Sequence, residues 1–335
     1  MTFFEQIPTN GKILVLDLGF LGDTVHLLPA AYAVREAFPD ARLSVMIAQH
    51  ILPLLEVTPW IDEKLGYPRY PKGPKPWQDW GRIKRMRGER YDAVINLNGS
   101  DRSSILTALT GSPLRLGRRP DDGGPWFWNR CFTHPVEVPR GGIPVYRQQM
   151  EALRLAGFSV KAPRWEVALP DAAAETANLG RYVHISPFAN DDYKELPADV
   201  LAQVVDGLRE AQPDLALVIS CAPTEREKRK LDVLLSQLDH KPDAVFPGNL
   251  DLVTFAGVLG RAALHMGADS GALHLAMLAG CPMVGWFRKY AAMEEWVPDF
   301  GHSRVLVGEA TPGGVSGISA SDVVSAAVQL LEQSR

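Results

Sequence analysis

The residues best placed to do chemistry lie at three turns, each between an apolar run and a helical segment. One is Asp269-Ser270-Gly271, after the run that ends in Gly267-Ala268 and before the helical stretch 272–279. A helix that begins on small residues presents unpaired backbone N–H groups and a partial positive charge, so Ser270 and Gly271 suit a phosphate. Asp and Ser are also ordinary N-caps in any protein. The second turn is Gly19-Phe20-Leu21-Gly22-Asp23, with His26 three residues further on. The third is the polar loop from Ser186 to Leu196, which contains Asp191, Asp192 and Lys194.

These turns need elements to hold them. Residues 12–18 read as a buried strand. Leu27, Ala30, Ala31, Val34, Ala37 and Phe38 form a helical stripe, and 42–47 is the next strand. That βαβ unit implies a parallel sheet. Its turn lacks the dinucleotide fingerprint, because Asp17 stands where a glycine is required. Pro29 is tolerated best in a first helical turn, which predicts regular helix from about His26. Asp23 is then either a cap or a free carboxylate on the loop at the strand's C-terminal end, where open α/β sheets bind ligands. In the second half, strands are expected at 182–185 and 215–220, with helices after Pro197, after Thr224, over 253–260 and over 319–332. Thr224 and Glu227 have capping-box spacing. Gly280 ends the helix after Gly271, and Met283 opens a further strand.

Composition is that of a globular chain long enough for two domains, with 46% hydrophobic and 22% charged residues. A formal net charge of -4 argues against a protein dedicated to nucleic acid. Three scattered cysteines, Cys131, Cys221 and Cys281, suggest a reducing compartment and offer no metal-ligand spacing. No secretory signal or transmembrane run is visible, so a cytoplasmic protein is expected. Residues 68–90 depart from the average. Arg69, Lys72, Lys75, Arg82, Lys84, Arg85, Arg87 and Arg90 face only Asp79 and Glu89, with Trp77 and Trp80 among them. This reads as a solvated face or as a landing surface for an anionic acceptor or lipid headgroups. The run Arg226, Lys228, Arg229, Lys230 reads as a solvated helix face. The stretch 119–144 is loop-rich, and Pro163 and Pro170 mark a linker.

Two stretches, LDLGFLGDTVHLLPAAYAVREAFPDARLSVM and GADSGALHLAMLAGCPMVGWF, resemble the signature regions of glycosyltransferase family 9, the bacterial ADP-heptose:lipopolysaccharide heptosyltransferases. Trp60-Ile61-Asp62-Glu63, the segment 91–119 and the segment 184–208 resemble further family segments, in order. The resemblance implies an α/β fold of GT-B architecture, two Rossmann-like domains with parallel sheets facing across a cleft. Residues 1–165 would bind acceptor, 180–318 would bind nucleotide-sugar, and a helix in 319–335 would turn back toward the first domain.

It also implies a reaction: inverting transfer of a sugar, heptose foremost, from a nucleotide-diphospho-sugar such as ADP-heptose to a lipopolysaccharide-core or related glycan. Asp23 would be the general base and Lys194 the cationic partner of the diphosphate. Ser186, Glu225, Asp269, Ser270, Gly271 and His274 would serve the donor. Glu225 would take the ribose hydroxyls, and Asp269 would face the donor sugar or a metal. Gly22, His26, Arg69, Arg102 and Arg119 would serve an anionic glycan or glycolipid acceptor, with peripheral contact at the cytoplasmic face of the inner membrane. No cofactor is required, Mg2+ being optional, and no nucleic acid is expected.

The chain departs from the family pattern at Asp17, usually basic, and at Asn96-Leu97-Asn98-Gly99, usually Asp-x-Gln-Gly. It departs again at Leu196, often Trp, and at Phe287-Arg288-Lys289-Tyr290, usually Phe-Gly-x-Thr. A sugar-nucleotide epimerase of the same architecture and a non-catalytic nucleotide-sugar-binding relative are the alternatives.

Overall fold

The computed structural model describes residues 1–69, 73, 78–120, 123–299, 302–309, 314–315 and 317–333. Lys72, Lys75, Trp77, Asp121 and Asp122 lie outside the described residues. The chain divides into two units, Met1–Ala168 and Leu169–Arg335.

The first unit holds β1 (Lys12–Leu16), β2 (Arg42–Ala48), β3 (Glu63–Tyr67), β4 (Ala93–Asn96), β5 (Leu114–Arg118) and β6 (His134–Val136). Its helices are α1 (Leu21–Ala37), α2 (Trp80–Glu89), α3 (Asp101–Leu109), α4 (Trp128–Cys131) and α5 (Val145–Leu155). The second unit holds β7 (Tyr182–Ser186), β8 (Ala216–Cys221), β9 (Ala244–Pro247), β10 (Leu264–Ala268), β11 (Met283–Phe287) and β12 (Ser303–Val307). Its helices are α6 (Ala173–Thr176), α7 (Ala198–Ala211), α8 (Glu225–Gln237), α9 (Leu252–Arg261), α10 (Gly271–Leu278) and α11 (Ala320–Gln333).

Both sheets are six-stranded and every recorded pair is parallel. The orders are β3-β2-β1-β4-β5-β6 and β12-β11-β10-β7-β8-β9. Counted from the first strand of each unit, both are the doubly wound order 3-2-1-4-5-6. Central strands such as β1 and β10 are mainly apolar, Lys12 and His265 apart, and buried along nearly their whole length, because helices cover a parallel sheet on both faces. The chain direction reverses between β1 and β4 in the first unit and between β7 and β10 in the second. At such switch points the turns leaving the strands splay apart and make room for a ligand.

Helix α1 begins earlier than Pro29 predicts. It opens at Leu21, with Thr24 N–H bonded to Phe20 O at 3.0 Å, so Pro29 lies well inside it. A proline there removes one helical donor and ordinarily costs ~3 kcal/mol. The carbonyl left without a partner, four residues back, is Val25 O, and the Trp165 indole N–H fills it at 2.9 Å. A donor 140 residues away thus stands in for the missing main-chain N–H. The loop-rich stretch 119–144 also carries more structure than its composition suggests. The turn α4 and edge strand β6 sit there, with Trp128 buried against Phe132 at 4.5 Å between ring centroids.

In the second unit, Val323, Ala326, Ala327, Leu330 and Leu331 make the buried stripe of α11, which lies on α7 and on β10, β11 and β12. Ser319 and Asp322 cap it reciprocally, the Asp322 N–H donating to Ser319 Oγ at 3.1 Å. Helix α11 is therefore part of the second unit's own core. Among the described residues, no helix is long and apolar enough to cross a membrane.

Candidate active site

The first unit's switch point is built from two carboxylates. Asp17 is the residue after β1, and it is buried. Its Oδ1 accepts the Gly19 N–H and the Asn98 side-chain N–H, both at 2.7 Å, and Gln149 Nε2 lies 3.3 Å from Oδ2. Asn98 follows β4, so the Asp17–Asn98 bond spans the switch point. Two of the departures noted in the sequence are therefore partners. Asn96 completes the turn by accepting the Asn98 N–H at 2.9 Å and donating to Thr107 at 3.0 Å.

Asp23 is in the first turn of α1, and its Oδ2 accepts the Phe20 N–H at 2.7 Å. Of the two readings, cap and free loop carboxylate, the structure shows the cap: Asp23 caps its own helix, which starts early because Val25 O finds another donor. Burial raises its pKa above the usual carboxylate range, against the Phe20 N–H and the Arg69 guanidinium, which lower it. The same burial, with Asp23's charge beside it, pushes Asp17 up to about 7. Gly19 is required by space. A Cβ there would stand 2.2 Å from the Cβ and Cγ of Asp23.

Arg69 reaches this turn. Its Nη1 donates to Leu18 O, and its guanidinium lies 4.9 Å from the ring centroid of the half-exposed Phe20. The other acceptor-side candidates are placed differently. Gly22 is buried in α1. His26 is fully buried, its Nδ1 accepting the Tyr146 N–H at 3.2 Å, so it fastens α1 to α5 and does not face solvent. Arg102 sits in the first turn of α3 with a buried Nη1 that has no hydrogen-bond partner. Arg119 is neutralised by Glu137 at 2.6 Å. In α2, Ile83 and Met86 face inward while Lys84, Arg85 and Arg87 are exposed, and Arg82 is held by Asp79 at 2.8 Å.

The second unit's switch point is built from a lysine. Lys194, on a single helical turn after β7, reaches Asp269 at the end of β10, Nζ to Oδ2 at 2.7 Å. Asp269 is 7% exposed, which makes this a pair that either partner's loss would leave unbalanced. Ser270 is the N-cap of α10, yet its hydroxyl makes no capping bond. The backbones of β7 and β10 come close here: a Cβ on Gly267 would lie 2.8 Å from Ser186 O. Ser186 Oγ meets Ser220 Oγ at 2.8 Å. His274 is buried in α10 against Trp296, and burial lowers its pKa to about 4, so its imidazole is neutral.

Two features of this side were not foreseen. Arg288 lies 4.6 Å from the ring centroid of Tyr193 and 5.4 Å from that of Tyr290, beside the Lys194 turn. Its segment stood out in the sequence only as a departure. The basic run on α8 is more than a solvated face. Arg226 bonds Ala189 O at 2.7 Å and Glu195 at 2.8 Å, and both Arg226 and Lys230 hold Asp192 and Glu195. These carboxylates bracket Lys194, so α8 clamps its turn from behind. Glu225, at the start of α8, is exposed and pairs with Lys228 at 3.3 Å. Glu227 reaches back to the Ala222 N–H at 2.7 Å while Thr224 Oγ1 accepts the Glu227 N–H at 3.2 Å. Among the described residues, no group of three or more His, Cys, Asp or Glu is placed to hold a metal ion.

Paired doubly wound sheets, with chemistry-bearing side chains at both switch points, define an α/β protein of GT-B architecture. Residues 80–307 match the model of glycosyltransferase family 9 (heptosyltransferase), and the chain belongs to that family; it is a glycosyltransferase. It is 22% identical over 278 residues to lipopolysaccharide heptosyltransferase 3 of Escherichia coli, covering 80% of this chain and 81% of that one. A glycosyltransferase family 9 structure from Veillonella parvula superposes with a TM-score of 0.83 at 20% identity, over 96% of this chain and 97% of the other. E. coli heptosyltransferase WaaC with ADP gives 0.73 at 16% identity, over 96% and 99%.

Proposed function

We propose that this glycosyltransferase moves heptose from ADP-heptose to a sugar of the lipopolysaccharide core or a related anionic glycan, with inversion, and that Asp23 is its general base. Its relatives include a lipopolysaccharide heptosyltransferase and a heptosyltransferase bound to ADP. The observation that carries the reading is Asp23 itself. An exposed aspartate, with a pKa near 3.9, is a weak base at neutral pH. Burial has moved this one upward, toward the range in which a carboxylate takes a proton effectively. In the reaction the acceptor O–H breaks as its oxygen bonds the anomeric carbon, and the proton passes to Asp23. The bond from that carbon to the diphosphate oxygen breaks with its electron pair leaving on the diphosphate. Lys194, the Ser270 hydroxyl and the first N–H groups of α10 would stabilise that charge.

Asp269 holds Lys194 until the diphosphate competes for it. Arg69 and Arg102 would meet the acceptor's anionic groups, and the exposed basic face of α2 suits the cytoplasmic face of the inner membrane. The test has two parts. ADP-heptose, ADP and UDP-sugars are compared by thermal shift, where only a native-state ligand raises the melting temperature. Transfer to heptose-deficient core acceptors is then assayed. Stabilisation by ADP-heptose with acceptor-dependent ADP release is the expected result. Turnover without acceptor would indicate an epimerase, and binding without turnover a non-catalytic relative.

A further inference from the structure

A cavity of about 660 Å³ opens in the second unit behind the turn that carries Lys194, and the proposed reaction makes no use of it. Its size is that of a small-molecule site. Its floor is Phe188, Leu196, Leu201, Leu234 and Val315, all members of the unit's apolar core and each 7% exposed or less. One wall is a single face of α8. Arg226, Arg229, Lys230, Val233 and Leu234 recur there at helical spacing, and all five line the cavity. Val233 is 50% exposed, so an apolar side chain of that wall stands open to water. The charges around the cavity are unequal. Three cations, Arg226, Arg229 and Lys230, line it against two carboxylates, Asp192 and Glu195. Arg226 and Lys230 each hold both carboxylates. That leaves Arg229, which is exposed and, among the described residues, has its guanidinium in no ion pair. Pro197 and Ala198 also line the cavity, and they open α7 without a side-chain cap, so the first N–H groups of that helix add positive potential. Asp199, the acid of that turn, is exposed and does not line the cavity.

We infer that this cavity binds a soluble single-chain amphiphile, an apolar body ending in one carboxylate or phosphate, at a site separate from the one proposed for the donor. The body covers the apolar floor and Val233, and the water released from them supplies affinity. The head sits at Arg229, the cation with no acid of its own, where a charge-assisted hydrogen bond is stronger than a neutral one. A cationic head finds no partner, since both lining carboxylates are already held twice. The floor is recessed among charged side chains, so it admits one chain that leaves water and offers a flat bilayer nothing to insert. The inference does not depend on which sugar or nucleotide the enzyme uses.

The experiment uses the full chain and four probes below their micelle-forming concentrations: decanoate, decyl phosphate, decanol and decyltrimethylammonium. Decanoate and decyl phosphate should saturate in calorimetry and raise the melting temperature. In hydrogen exchange they should protect the backbone of 188–201 and 226–234 and leave the first unit unchanged. Decanol should bind at least about fivefold more weakly, and decyltrimethylammonium more weakly still. Arg229→Glu should weaken decanoate by about tenfold or more, and Val233→Asp by a similar factor. Both residues are exposed, so both variants should fold normally. No binding of either anion, equal binding of decanol, protection spread over both units, or unchanged affinity in either variant overturns the inference. So does capture of the protein by phosphatidylglycerol vesicles without binding of the soluble anions, since that would make this face a membrane contact.

Discussion

The two units have the same strand order and opposite chemistry at the point where that order reverses. In the first, β1 and β4 end in Asp17 and Asn98, and α1 brings Asp23 beside them. In the second, β7 and β10 lead to Lys194 and Asp269, and α10 presents an N-terminus with an unused hydroxyl. The first stores a buried and a half-buried carboxyl group with raised pKa values. The second stores buried imidazoles with lowered ones: His274, and His184 with His265, whose Nδ1 atoms meet at 3.0 Å. A doubly wound sheet supplies the crevice, and a few residues at the strand ends decide whether carboxylates or a lysine and a helix N-terminus line it.

Removing those residues one at a time breaks the comparison in graded steps. Asp23→Ala should reduce transfer by about 10³-fold while donor affinity in calorimetry stays within about twofold, since the proposed donor site belongs to the other unit. Near-normal turnover would show that the base lies elsewhere. Gly19→Ala should cost nearly as much, roughly 10²-fold in kcat. It adds no charge and removes none; its Cβ simply displaces Asp23. Lys194→Met should act on the second unit alone, weakening ADP binding by about 30-fold, or ~2 kcal/mol, and it should leave Asp269 buried without its counter-ion. Unchanged ADP affinity would remove the lysine from the diphosphate's reach.

Smaller effects sharpen the contrast. Trp165→Phe should destabilise the protein by ~1–3 kcal/mol in denaturant melts, the cost of an unpaired carbonyl at Val25. Titration gives the groups buried at the ends and middles of the central strands opposite signs in the two units. Asp17, with its folded pKa raised, binds more protons in the native state, so its contribution to stability declines as pH rises from about 4 to about 7. His184, lowered to about 3, stays neutral in the native state while the unfolded chain takes up a proton. Its contribution therefore declines as pH falls below about 6.5. Hydrogen exchange, corrected for intrinsic rates, should show β7 and β10 losing protection between neutral and mildly acidic pH while β1 and α1 gain it. Parallel behaviour in both units would refute the assignment of buried charge.

Much of the scaffold is legible in the sequence, because parallel strands are mainly apolar runs and the caps at Thr224 and Ser319 are local signals. The start of α1 was not, since what makes Pro29 acceptable is an indole far along the chain. Contacts across a switch point are equally hidden. Asp17 and Asn98 are 81 residues apart, and each alone looks like a departure from a pattern. Arg226 and Lys230 read as solvated because a basic run on a helix carries no sign that acids in another loop will meet it. A useful signal was available: Asp192 and Glu195 flank Lys194, and acids that bracket a lysine need cations of their own if they are to leave it free.

The bond from Trp165 to Val25 also binds two sequence positions into one choice. That carbonyl has a single seat on the helix axis, and a residue with an N–H at position 29 would claim it. Pro29→Ala would therefore set main chain and indole in rivalry. Losing the contest would remove one of the ties that hold the polypeptide just ahead of the border at Ala168. Proline at 29 and tryptophan at 165 are expected to be kept, or exchanged, together.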